Sequence, residues 1–350
     1  AVLAFIVGQL PWFPVTPAPI DAQVGGVLIF IIVTLLFLLT AHQITNITWL
    51  KWITFLFIGF GGFYLLRPIV PGMVSATEPL FSSRVGGSIF YIWLTAMSLS
   101  QALYNKQLSR PWRILLAAVT VLLLYNVLFI TRSWVSGWLP SLIALFVVIW
   151  AGSPRTAYII IGVAAVFLFF RSQALLGSFL YIGDNQYSQI TRFEAWRIIG
   201  EIVKVNPILG LGPANYSFYT PLFPILGWFV KFNSHNNYVD MIAQTGILGL
   251  TCLLWFFWEM GKILLRLRNQ VSGNGFVQAY IYAAVGGFAA TIVAGMFGDW
   301  IIPYVYNVTI RGLRSSMYAW LFLGGIIAID WLLKSGKLDI KTGQEIYDDL

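Results

Sequence analysis

The sequence specifies an all-α polytopic membrane bundle of about ten transmembrane helices, and three observations carry that reading. Hydrophobic residues make up 59% and charged residues 10% of the chain, against the roughly 25% charged residues that a soluble domain uses to cover its surface. Mean hydropathy is +0.80. The apolar residues are gathered into runs near bilayer length with no alternating pattern, and an isolated apolar strand cannot satisfy its backbone N–H and C=O groups in lipid, so the runs are helices.

In chain order the runs are 1–13, 24–40, 48–66, 85–103, 114–131, 133–151, 156–170, 238–258, 276–297 and 315–333, the first and seventh being short for a span. No internal repeat, low-complexity tract or linker sets off a soluble domain, so 1–350 reads as a single membrane domain. The chain opens on Ala1, already apolar and without Met, and one or more helices upstream are expected. The single Cys252 lies in an apolar run, which excludes an internal disulfide.

Short-loop charge sets the orientation. Lys106, Arg110 and Arg113 follow the fourth run, Lys262, Arg266 and Arg268 the eighth, and Lys334, Lys337 and Lys341 begin the tail 334–350. All fall on one side, which the positive-inside tendency makes cytoplasmic. The longest polar interruption, 171–234, is then an extracytoplasmic loop, accompanied outside by Arg67, Arg84, Arg132, Arg192, Arg197, Arg311 and Arg314. An outward arginine population runs against the tendency, and an anionic substrate outside would explain it. The plainer alternative is that a long loop escapes the charge rule, which covers Arg171, Arg197, Lys204 and Lys231.

Within the loop, Thr191-Arg-Phe-Glu194 has capping-box spacing, so a helix is expected from Thr191 to about Val205, stopped by Asn206-Pro207. Trp196, Ile199, Ile202 and Val203 form its apolar face, as in a helix lying along a membrane surface. Arg192 then sits in the first turn, where a cation is disfavoured and a bound anion would relieve the conflict; the alternative is a surface salt bridge to Glu194 or Asp184. Gly210 and Gly212, after Pro207, permit tight turns and close backbone approach. Ser234 reads as an N-cap with His235 at the first helical position and Gly246 as a break further along. His235 has the chemistry of a neutral base titrating near 6.5, although a lone His at a membrane interface is also a common hydrogen-bonded structural residue.

Arg192-x-x-x-Trp196, Pro207-x-x-Gly210-x-Gly212 and His235-Asn236-x-Tyr238 with Gly246-x-x-Gly249, in this order, resemble the signature of the O-antigen ligase and polymerase superfamily of bacterial membrane glycan transferases. Thr131-Arg132-Ser133-Trp134 is similar to that family's Ser-Arg-aromatic motif, with Arg here ahead of Ser. The similarity spans roughly 85–333. It implies a GT-C-like bundle in the inner membrane of the cell envelope, serving lipopolysaccharide biosynthesis, with its site in the periplasmic loop. The implied reaction moves a glycan from undecaprenyl pyrophosphate to the hydroxyl of a lipid-linked saccharide, without metal, nucleotide sugar or other cofactor.

By this resemblance Arg192 and Arg132 hold the pyrophosphate and His235 deprotonates or orients the acceptor, with Arg171, Arg197 and Arg311 in second rank. The sequence agrees that a protein-built metal site is absent, since His42 and His235 fall on opposite sides and the outer loops have no Asp-x-Asp pair. Polymerization onto a second undecaprenyl-linked unit, protein O-glycosylation and anion transport are the alternatives. Transport fits less well because Asp240, Glu259, Lys262 and Asp330 lie near the ends of the spans rather than at mid-depth. No nucleic acid partner is implied.

Overall fold

The computed structural model describes residues 1–78, 80–81, 86–175 and 185–339, the side chains of 167–175 and 185–186 excepted. Arg84, Asp184, Lys341 and the Arg171 side chain lie outside the described residues. Every regular element among the described residues is helical: α1 Val2–Val7, α2 Ile20–Gln43, α3 Ile47–Leu66, α4 Met73–Thr77, α5 Ser88–Tyr104, α6 Arg110–Tyr125, α7 Val135–Gly152, α8 Pro154–Leu175, α9 Asn185–Val203, α10 Tyr216–Tyr219, α11 Asn237–Gln270, α12 Phe276–Ala294 and α13 Leu313–Lys334. A π-turn, Asn126–Ile130, lengthens α6. Seven of the described helices are long and apolar enough to cross a membrane. The 17 residues of α5 reach the lower limit of a span, and α8 adds a further apolar helix.

The first run does not form a span. Its helix stops after six residues, about 9 Å of rise, because Pro11, Pro14 and Pro17 lack the N–H that would continue it. The residues after α1 pack instead on the loop region, with Phe13 against Tyr219 at 4.7 Å and Ala18 N–H donating to Asn215. The relative sides of the remaining loops are unchanged. Lys106 N–H donates to Asn274 O at one end of the bundle, joining the 105–109 and 271–275 connections. The described residues of the connections 67–78, 131–134, 204–236 and 295–312 gather at the other.

Helices α5, α12 and α13 form the buried centre, while α2, α3 and α6 face outward with most of their surface exposed. Small residues set the approach: a Cβ on Gly287 would meet Trp93 at 2.9 Å and one on Gly286 would meet Ala144 O at 2.8 Å. Helix α11 spans 34 residues with a break at Gly246, and the part after the break, 247–270, rises about 36 Å, enough to cross a bilayer core of roughly 30 Å. Its far turns carry Arg266, 2.7 Å from Asp330, which also meets Lys334 at 2.8 Å.

Two of the arginines expected outside already have partners. Arg67 is nearly buried, 2.9 Å from Glu78 and flanked by the rings of Tyr64 and Phe81. Arg197 makes a two-pronged contact with Glu194 at 2.7 and 3.0 Å on an exposed face. They need no external anion.

Candidate functional site

Helix α11 is broken where Gly246 takes φ 69°, ψ −171°. The backbone groups freed by the break pair with the Pro207 segment: Ile247 N–H donates to Pro207 O at 2.8 Å, Leu248 N–H to Ile208 O at 3.2 Å, and Leu211 N–H to Ala243 O at 2.9 Å. Gly210 lies so close that a Cβ there would stand 2.5 Å from Gly246 N, and its φ of 71° is one that L side chains rarely adopt. The Gly-x-Gly thus serves helix and loop packing, and it anchors the loop to the first turns of α11. Gly212 repeats the device against Gly8, whose Cα would lie 2.9 Å from a Cβ at that position.

The expected capping box is overturned. Helix α9 begins at Asn185, so Thr191 lies inside it and its hydroxyl donates back to the Tyr187 and Ser188 carbonyls. Ser and Thr make this local bond as readily inside a helix as at its start, which is why spacing alone misplaced the terminus. Arg192 therefore meets no helix dipole end. The apolar face is present, but Ile198, Ile199, Ile202 and Val203 bury against Tyr216, Tyr219, Ala243 and Tyr304 rather than lying on a membrane surface.

The cap of α11 also differs. Asn236 is the N-cap, its Oδ1 accepting from Tyr238 N–H at 2.9 Å and Val239 N–H at 3.3 Å, and Ser234 prepares the turn by accepting from Asn236 N–H at 2.9 Å. His235 stands outside the helix with φ 48°, an uncommon left-handed conformation for a residue with a side chain. Its neighbours fix it there. Trp196 Nε1 donates to Ser234 O at 2.7 Å, Tyr216 OH accepts from Ser234 N–H at 3.2 Å, and Asn237 N–H donates to Gly295 O at 2.8 Å. The buried Asp240 accepts from Ser234 Oγ and Tyr216 OH at 2.7 and 2.6 Å, and Tyr238 OH donates to Ile292 O at 2.6 Å.

His235 Nδ1 lies 3.2 Å from Asn307 Nδ2, which also donates to Asp299 Oδ1. Asp299 Oδ2 accepts from Tyr304 N–H at 2.8 Å. Burial holds the Asp299 carboxyl above the ordinary carboxylate range. Burial, assisted by the charge of Arg192, pushes the imidazole down to about 4, so His235 is neutral at physiological pH. With Asp299 ionised, the Asn307 amide nitrogen faces both neighbours and the ring proton resides on Nε2. With Asp299 protonated, the amide can turn over, accept from Nδ1–H and free Nε2 as a base.

Arg192 is half-buried. Its Nη1 donates to Phe297 O at 3.4 Å, Nε has no partner, and among the described ion pairs it has no carboxylate. Burial pulls its pKa down. The guanidinium borders a cavity of about 300 Å³ with Ser133, Trp134, Ser188, Gln189 and Trp196. That volume matches the small end of ligand pockets, and the lining mixes aromatic faces with convergent polar groups. Arg132 is exposed beside Ser133 and Trp134, at the rim rather than in the lining. Arg197 points outward to Glu194, and Arg311 is exposed on the turn Ile310–Gly312; neither lines the cavity.

The structure thus brings together His235, Arg192, Trp196, Asn236, Tyr238 and the Pro207–Gly212 turn. It adds Asn307, Tyr216 and the Phe297 carbonyl, for which the sequence holds no signal, because they reach the site only through tertiary packing. These features define a polytopic all-α membrane protein in which a histidine and an arginine with no carboxylate partner among the described residues are gathered at one end of the bundle. Residues 113–254, which include both, match the family model described as O-antigen ligase, so the resemblance to the O-antigen ligase superfamily holds over the segment that builds the site. No curated protein matches the chain.

Proposed function

We propose that the chain moves a glycan from undecaprenyl pyrophosphate to the hydroxyl of a lipid-linked saccharide on the extracytoplasmic face of the bacterial inner membrane. Glycan transfer of the O-antigen ligase type rests on the matched segment, and the choice of donor rests on Arg192. A half-buried guanidinium with no carboxylate partner among the described residues is costly, and an anion in the adjoining cavity relieves that cost. A planar guanidinium suits two phosphate oxygens at once. In the transfer the acceptor oxygen bonds to the anomeric carbon, the bond from that carbon to the phosphate oxygen breaks, and undecaprenyl pyrophosphate leaves with the electron pair. Arg192 stabilises the charge developing on the leaving oxygen, and Nε2 of His235 takes the acceptor proton in the form in which Asn307 accepts from Nδ1.

Purified full-length protein with undecaprenyl-pyrophosphate-linked glycan and rough-type lipopolysaccharide tests this reading. Transfer is expected to persist in EDTA, because Arg192 supplies the positive charge. Complete loss, restored by Mg²⁺ or Mn²⁺, overturns the arginine account.

The face is tested separately. Single cysteines at Ser188, beside Arg192, and at Ser109, in the basic connection, are labelled with an impermeant maleimide on intact cells. Labelling at Ser188 alone is expected, and labelling at Ser109 alone reverses the topology and with it the side of the reaction.

A further inference from the structure

A second cavity, of about 220 Å³, is lined by Ser217, Phe218, Lys231, Phe232, Asn233 and Tyr306, two of which are close in sequence to His235 and its partner Asn307. It shares no lining residue with the Arg192 cavity. Two short links tie it to His235. Asn233 precedes the fixed Ser234–His235 turn, and Tyr306 precedes Asn307, whose amide lies 3.2 Å from His235 Nδ1. The Phe218 and Tyr306 rings stand 5.2 Å apart, and Lys231 Nζ lies 3.3 Å from the Phe218 centroid. Asn233 Oδ1 is buried and has no hydrogen-bond partner, although its residue borders the cavity.

Aromatic faces combined with an amide, an ammonium and a hydroxyl match the chemistry of a sugar ring, whose C–H faces stack on aromatics while its hydroxyls pair with the polar groups. A hydrocarbon tail fits poorly, since it would shut the Lys231 ammonium and the Asn233 amide away from any partner. Pyrophosphate is better served by the guanidinium fork of the other cavity than by one ammonium seated on a ring. The volume lies below the roughly 300 Å³ at which drug-sized pockets begin, which suits one terminal residue rather than a chain.

We propose that this cavity is the subsite for the terminal sugar of the acceptor, a reading that rests on His235 as the centre of transfer. Donor pyrophosphate at Arg192 and acceptor sugar at Phe218 and Tyr306 would then approach His235 from separate cavities, the first through the charge of Arg192 and the second through the Asn233 and Tyr306 links. Acceptor specificity is set by Lys231, Asn233 and Tyr306.

Equilibrium binding of two fluorescently labelled saccharides to the full chain in detergent tests the proposal without requiring turnover. One is core oligosaccharide released from rough-type lipopolysaccharide, and the other is an oligosaccharide of O-antigen repeat units. At least one should bind, and Tyr306→Leu and Lys231→Ala should each weaken it about tenfold, as expected for loss of a stacking face or a charged contact. Lys204→Ala, which removes an exposed lysine paired with Glu201, should leave binding within about twofold. Thermal unfolding of each variant in the same detergent identifies any that fail to fold, and Lys231→Gln repeats the test at that exposed position with less loss of packing.

Absence of binding by both saccharides, or binding that the folded variants do not change, overturns the subsite. Binding weakened by Arg192→Ala but not by Tyr306→Leu moves the sugar to the other cavity and also overturns it. The catalytic reading fails on a different measurement, unchanged transfer by His235→Ala, so the two failures are distinguishable.

Discussion

Replacing Arg192 with lysine is expected to lower transfer on the order of a hundredfold or more, although the positive charge survives. The guanidinium is held by Phe297 O at 3.4 Å and by burial, with Nε unpaired and no carboxylate beside it among the described residues, so its remaining donors are aimed by position. An ammonium at the end of a flexible stem delivers a point charge and loses the two parallel hydrogen bonds that a leaving phosphate needs. Transfer kinetics with varied donor separate the two contributions. Loss in kcat with little change in donor KM assigns Arg192 to charge developing in the transition state, whereas a raised KM alone assigns it to ground-state binding. Arg197→Lys is the matched control, because Arg197 is exposed and engaged with Glu194, and it should stay within about twofold. Full activity in Arg192→Lys removes the bidentate contact from the account.

The features that survived from sequence to structure are those in which one residue has one physical use. Gly246 marks a helix break because its φ of 69° is costly for any other residue, and Gly210 faces it for the same reason. The apolar runs became helices because lipid leaves the backbone no other partner. The failures fall on residues with several uses. Thr191 satisfies a carbonyl inside α9 with the same hydroxyl that would cap a helix start. Ser234 and Asn236 are both good caps, and the fold uses Asn236 because Ser234 is committed to Asp240. An apolar run with prolines at its end reads as a short span in composition, while the missing N–H groups end it as a surface segment.

The arginines divide by the same logic. Charge was legible, but exposure and pairing were not, and those separate Arg192 from Arg67 and Arg197. The histidine was legible as a residue type and opaque as an environment. Nothing near it in sequence announces Asn307 or Asp299, because 72 positions separate His235 from Asn307. An expectation of titration near 6.5 therefore gives way to a pKa of about 4 once burial and Arg192 are included.

That environment determines the second large effect. His235→Ala is expected to lose roughly 10² to 10⁴ in transfer rate, the usual contribution of a positioned proton acceptor, with donor affinity near the wild-type value. The left-handed backbone complicates the alanine variant, since φ 48° strains any residue with a Cβ and a loosened turn would also lower the rate. His235→Asn resolves this. Asparagine tolerates that backbone conformation better than most residues, so the turn held by Trp196, Tyr216 and Asn237 should persist while the imidazole is gone. If both variants lose the same factor and unfold at the wild-type temperature, the loss belongs to the ring rather than to the loop. The sign of the pH dependence follows from two groups. The ring must be neutral, as it is at all pH values well above about 4. The tautomer that frees Nε2 needs protonated Asp299, so it is lost as pH rises through that carboxyl's raised pKa. The wild-type rate should thus show no rise with pH near 6.5, where a solvated imidazole loses its proton, should fall by protonation of His235 only as pH approaches about 4, and should fall on the alkaline side as Asp299 ionises. A rise with pH centred near 6.5 that disappears in His235→Asn would mean that the ring is open to water. A wild-type rate in His235→Asn at every pH would remove the histidine from proton transfer altogether, leaving Glu194, Asp299 or solvent to accept the proton.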